Sequence, residues 1–193
     1  MVCLGCKKNI PIFKVICFGC LKIIYELSVN NSNEQKISSL FSYQEPLRSL
    51  VISAKVERNW LATQSLKKIL SHSVRTQYLL EWADYVTPAP SSLWSRIHLK
   101  FDLAYILAHH LTRKTKATLV PPPWTTGWNI SKQSKRKRRS PVHSTQAIPV
   151  DNRSKKNILL IDDVTTSGQT LNRLEKHFPH YNVRALCLCS AKS

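Results

Sequence analysis

The stretch "ILLIDDVTTSGQTL", Ile158 to Leu171, runs from an apolar segment into two adjacent carboxylates, a valine, a cluster of hydroxyl residues around one glycine, and the start of a helical pattern. The apolar segment reads as a buried strand. In parallel α/β sheets, ligands sit outside the carboxyl ends of the strands, which is where Asp162 and Asp163 fall. The polar turn that follows, Thr165, Thr166, Ser167, Gly168, Gln169 and Thr170, can wrap a phosphate with hydroxyls and backbone N–H groups at the start of a helix, where the dipole favours an anion. Gly168 is expected to face that phosphate, so that Gly168→Val would occlude it. The two carboxylates can accept hydrogen bonds from ribose hydroxyls or work through a magnesium ion, and Asp163→Asn is expected to weaken binding through the ribose contact. The plainer alternative is a strand followed by a capped helix with no ligand.

Around this stretch, strand and helix patterns alternate. Ala83–Pro90 (ADYVTPAP) reads as a strand ending in a proline loop, Phe101–Leu111 as a helix, Ala117–Pro123 as a strand, Asn157–Asp163 as a strand, Gly168–Phe178 as a helix and Asn182–Cys189 as a strand. This predicts an α/β domain with a mainly parallel sheet. Upstream, Pro46 suits the first turn of a helix whose Leu47, Leu50, Val51 and Ala54 follow the amphipathic stripe, and a second helix spans about Trp60 to Leu70. The polar run from Ser28 to Ser39 reads as a linker. Cys187 and Cys189 alternate as on a strand, with both thiols on one face, and read as buried free cysteines.

Two other sites that place acids at a strand end are excluded. A Walker B aspartate needs a companion glycine-rich phosphate loop, and none of the four glycines opens or closes one. A receiver domain needs most of its sheet after the acids, and 193 − 163 leaves 30 residues. A loop for the sugar and phosphate of a phosphoribosyl group remains.

A chain of 193 residues suits one full domain with a small appendage. Lysine plus arginine exceed aspartate plus glutamate by 29 − 11 = 18, a balance that favours polyanionic partners, or else simply a soluble basic protein. No apolar run approaches the roughly 20 residues that cross a bilayer, and the N-terminus lacks a signal-peptide core, so a cytoplasmic location is expected.

Four of the six cysteines form two C-x2-C pairs near the N-terminus, Cys3 with Cys6 and Cys17 with Cys20. Facing pairs of this kind make a closed tetrahedral four-cysteine site, the usual arrangement of structural zinc; disulfides or unrelated thiols are the alternatives. Gly5 and Gly19 precede the second cysteine of each pair and are expected to supply tight turns. The segment is too short to bury a core, so metal would supply its folding energy, and its loss should spare the rest of the chain.

The sequence from Leu159 to Leu171 resembles the phosphoribosyl pyrophosphate signature of type I phosphoribosyltransferases. The whole chain resembles the ComF family of phosphoribosyltransferase-like proteins, in its cysteine module, in a "PLR…L…K" segment matched by Pro46, Leu47, Arg48, Leu50 and Lys55, and in a proline-rich loop where Pro88, Pro90, Arg96, Phe101 and Ala104 agree. The resemblance implies a zinc-ribbon-like module over residues 1–27, a linker and helical segment over 28–75, and a domain of the type I phosphoribosyltransferase fold over 76–193. It implies Asp162 and Asp163 as catalytic residues, phosphoribosyl pyrophosphate with magnesium as ligand, and Pro88, Ala89, Arg96 and Lys100 as the pyrophosphate loop. It further implies a part in DNA uptake during natural competence, with single-stranded DNA and DNA-uptake proteins as partners. An active magnesium-dependent phosphoribosyltransferase of nucleotide or nucleobase metabolism is the other reading. Ser92, Leu93, Trp94 and Ser95 replace the family's cations, which points to ligand binding with weak or lost turnover. The basic run Lys132 to Arg139 is either a solvated charge run or a segment that captures pyrophosphate or single-stranded nucleic acid.

Overall fold

The computed structural model of the chain describes residues 1–29, 35–89, 101–113, 115–120 and 156–191. Five strands, β1 (Ile37–Ser42), β2 (Tyr85–Pro88), β3 (Thr118–Leu119), β4 (Asn157–Thr165) and β5 (Asn182–Ser190), form one parallel sheet in the order β1-β5-β4-β2-β3. The helices are α1 (Phe18–Glu26), α2 (Leu47–Lys55), α3 (Trp60–Ser71), α4 (Val74–Trp82), α5 (Leu103–Thr112) and α6 (Gln169–His177). The α/β class and parallel sheet expected from the alternation are therefore present.

Strand periodicity sorts the core. Leu159 and Ile161 of β4 join Leu186 and Leu188 of β5 in the main cluster, which takes in Ile24 of α1, Leu47, Leu50, Val51 and Ala54 of α2, Leu66 of α3, Leu79 of α4 and Leu107 of α5. The alternate residues, Ile158, Leu160, Val183 and Ala185, face a smaller cluster with Phe178 and Tyr181, just beyond α6. The stripe read in α2 is fully buried, as its spacing predicts.

The linker reading of Ser28 to Ser39 is corrected at its end, because Ile37, Ser38 and Ser39 belong to β1, which pairs in parallel with β5. Two buried serines hid the strand. Ser38 is satisfied by Arg75 of α4, whose guanidinium donates to its hydroxyl at 2.9 and 3.2 Å. The sequence pattern does not announce α4 either: Ser73 caps it through the N–H of Thr76, but its buried face includes a threonine and its apolar pattern is weak.

Connectivity positions the site. From β2 the chain passes through α5 to β3 on one side, whereas from β4 it passes through α6 to β5 on the other. β2 and β4 are neighbours whose outgoing connections diverge, and this opens a crevice at their carboxyl ends.

Candidate functional site

The crevice is lined by the end of β2 and the acids of β4. Pro88 pairs in register with Ile161, and the Ala89 N–H donates to the Ile161 carbonyl at 2.7 Å, which holds the start of the proline loop against the acid strand. Pro88 lacks an N–H, yet it fits here because β3 pairs only with Tyr85 and Val86. Both Pro88 and Ala89 are buried.

Asp162 and Asp163 point to opposite sides of β4, and their environments differ. Asp163 is buried, with one oxygen accepting the Val164 N–H at 2.9 Å and the other paired with the Lys55 ammonium at 2.5 Å. Asp162 is partly exposed and accepts the Asp163 N–H at 2.8 Å; no cation among the described residues pairs with it. Burial, together with the adjacent Asp163 charge, pushes the Asp162 carboxyl up to about 7. Burial disfavours the charge of Lys55, but the Asp163 carboxylate more than offsets this and holds Lys55 above its ordinary range. Asp163, with both oxygens engaged, is a poor seat for magnesium, so the pair does not fit a protein-held ion bridging two carboxylates. The sequence marks Lys55 as part of a helical motif and not as part of the site.

The raised Asp162 makes a testable contribution to stability in the ligand-free protein. Between 3.8 and about 7 the unfolded chain has released a proton that the folded chain retains, so stability falls as pH rises through this window and levels off above it. Asp162→Asn should remove that slope. The check is the difference in unfolding midpoint between wild type and variant across the window; parallel curves would count against the assignment.

The turn after the acids has the expected form. Thr165 ends β4 opposite Ser190, Thr166 and Ser167 are exposed, and α6 begins at Gln169 with Thr170 half-buried. The Gly168 carbonyl accepts the Asn172 N–H at 3.3 Å, so the first N–H groups of α6 stay open toward the turn. Gly168 has φ +71°, a left-handed conformation that glycine adopts without strain. A side chain there would meet Ile37 Cδ1 of β1 at 2.6 Å. The expected occlusion of the phosphate by Gly168→Val is thus corrected: the added carbons collide with Ile37, and the turn is distorted from behind. Gly168→Val should lower stability and phosphate affinity together. Adding Ile37→Ala should recover part of the stability, while the left-handed backbone still costs about 1–2 kcal/mol. Thermal unfolding of both variants tests this, and no recovery in the double variant would show that Ile37 is not the obstacle.

The four N-terminal cysteines are brought together. The sulfurs of Cys3, Cys6, Cys17 and Cys20 all lie within 4.8 Å of one another, a grouping that could hold a metal ion. Cys6 and Cys17 are 3.6 Å apart, close to the roughly 3.8 Å that tetrahedral bonds of about 2.3 Å require. Backbone N–H groups aim at the sulfurs: Cys17 N–H donates to Cys3 at 3.3 Å and Cys20 N–H to Cys17 at 3.4 Å, the latter capping α1. Burial opposes ionisation of Cys3, but the N–H groups of Cys6, Cys17 and Gly5 outweigh it and bring the thiol down to about 6. Burial and the neighbouring sulfurs push Cys20 up to about 12. Gly5 lies in the turn between Cys3 and Cys6, as expected, whereas Gly19 falls inside α1. Gly5 is needed for close packing, since a side chain there would strike Pro46 and lie 2.8 Å from the Cys20 sulfur, whereas Gly19 sits uncrowded in the first turn of α1. Lys7 takes the left-handed position instead, at φ 61°.

Cys187 and Cys189 are buried free thiols, as read. Burial and the nearby Asp162 charge push Cys187 up to about 12, and Cys189 is raised in the same way by burial and Asp163, which leaves both inert as nucleophiles. Arg96 and Lys100, assigned to the pyrophosphate loop, and the basic run Lys132 to Arg139 lie outside the described residues. A cleft of about 700 Å³ opens at the amino end of the sheet, among Ser71, His72, Gln77, Glu81 and Lys116. It lies away from the switch point and combines no acids with an anion-binding turn, so the carboxyl end is the better candidate. No protein-family model matches the sequence, and no curated protein matches it.

Proposed function

We propose that the chain binds a phosphoribosyl ligand, with phosphoribosyl pyrophosphate as the main candidate, at the carboxyl ends of β2 and β4. The observation that carries this reading is the coincidence, at one switch point, of the acid pair and a hydroxyl-lined turn that opens a helix. Thr166 to Thr170 would take the 5′-phosphate through hydroxyls and the open N–H groups of α6. Asp162, which no described cation neutralises, would accept the ribose hydroxyls. Magnesium would travel with the pyrophosphate group of the ligand. The four-cysteine cluster would hold one structural zinc ion, with no ligand position left for substrate.

The likeness to ComF proteins suggests a part in DNA uptake, and the net charge of +18 supports a polyanionic partner such as single-stranded DNA. Ser92 to Ser95 replace a cationic cluster in the proline loop and leave Arg96 and Lys100 as its candidate cations for a departing pyrophosphate, and this favours a binder over a brisk transferase. The test is calorimetry with ribose 5-phosphate and with magnesium phosphoribosyl pyrophosphate, followed by measurement of pyrophosphate release with nucleobases present. Binding with little release is expected. Brisk release would restore the transferase reading, and failure to bind either ligand would remove the phosphoribosyl assignment altogether.

A further inference from the structure

We propose that Lys55 is a built-in counter-cation of the acid pair, closing Asp163 to divalent ions and leaving Asp162 alone to face the ligand. Lys55 is the last residue of α2, a helix anchored by the fully buried Leu47, Leu50 and Ala54, so its ammonium is delivered to the sheet by a rigid element. It reaches the Asp163 oxygen opposite the one that accepts the Val164 N–H. The Asp163 side chain is 8% exposed, and a carboxylate that buried requires a partner. The Lys55 side chain is 44% exposed, so the ammonium that occupies the Asp163 oxygen is itself within reach of solvent.

A magnesium-like ion needs near-octahedral oxygen ligands and is usually held through one or two carboxylates together with substrate phosphates. With an ammonium already on Asp163, the pair offers one carboxylate and a repelling positive charge beside it. The pair therefore does not collect a divalent ion by itself. Any such ion arrives with a phosphorylated ligand, and a ligand lacking pyrophosphate, such as ribose 5-phosphate, binds without metal. In this scheme Lys55 is a positioning residue, since it touches Asp163 and not the ligand.

The identity of the ligand rests on the phosphoribosyl reading, but the metal behaviour does not, and the experiment separates them. The full-length wild type and Lys55→Met are titrated with Mn²⁺ in the absence of phosphoribosyl compounds, with free Mn²⁺ followed by electron paramagnetic resonance. The wild type should leave the ion free, and Lys55→Met should gain one site bound at least about tenfold more tightly, because a unit charge at contact distance has been removed. Lys55→Arg keeps the charge and should stay silent. One ion bound per wild-type chain at micromolar concentration would overturn the proposal, as would a folded Lys55→Met that gains no site. Should Lys55→Met fail to fold, the wild type still decides: a Lys55 Cε resonance unbroadened by Mn²⁺ supports the proposal, and broadening at one ion per chain overturns it. A parallel metal-free titration with ribose 5-phosphate reads the phosphoribosyl assignment independently of the Mn²⁺ result.

Discussion

Cys17→Ser should destabilise the sheet as well as the first 27 residues. Val15 and Ile24 belong to the same buried cluster as Leu159 and Ile161 of β4, and Gly5 packs against Pro46 just before α2. The N-terminal segment is therefore a wall of the main core. Structural zinc in small modules has apparent binding energies of about 10–16 kcal/mol, comparable to the roughly 5–15 kcal/mol that hold a whole domain folded. With zinc held by the four cysteines as proposed, losing the ion should thus remove a large part of the stability of the chain, against the expectation from sequence that the remainder would be spared. Hydrogen exchange checks this: in Cys17→Ser, or after chelation, amides of β4 and β5 should lose protection together with those of residues 1–27. Sheet amides that stay protected while the N-terminal segment exchanges freely would show that the module folds as a separate unit.

What could be read from sequence follows from how local each signal is. The apolar run of β4 and the stripe of α2 are each written within about ten residues and the duplicated cysteine pairs within about twenty, and each appears as expected. β1 was missed because its burial is polar: Ser38 is fully buried, yet it depends on Arg75, a residue distant in sequence, for its hydrogen bonds. The same limit applies at the site. Both acids are legible as a pair, but their inequality is not: the expectation that Asp163 makes the ribose contact takes no account of Lys55, which reaches Asp163 only once α2 has packed on the sheet. The sequence marks Gly168 as special, but the reason lies in Ile37, which packs against it.

That inequality predicts a crossed outcome for two isosteric substitutions. Asp162→Asn should leave the fold intact, since Asp162 has no paired cation among the described residues and its ionised form is disfavoured by burial and by Asp163. Its effect should fall on the ligand: a carboxylate hydrogen bond to a ribose hydroxyl contributes about 1.5–3 kcal/mol, so affinity for ribose 5-phosphate should drop by roughly 10- to 100-fold. Asp163→Asn should do the reverse. It leaves the Lys55 ammonium without its carboxylate; because Lys55 is partly exposed and water can solvate part of that charge, the cost should be about 1–2 kcal/mol, below that of a fully buried broken pair. Ligand affinity should change less than in Asp162→Asn, because the amide can still accept the Val164 N–H and preserve the strand end. Thermal unfolding and calorimetry on both variants measure the two axes. If Asp163→Asn proved the stronger lesion for binding while leaving stability unchanged, Asp163 would be the ligand-facing acid, and the division of roles drawn from the Lys55 pair would have to be reversed.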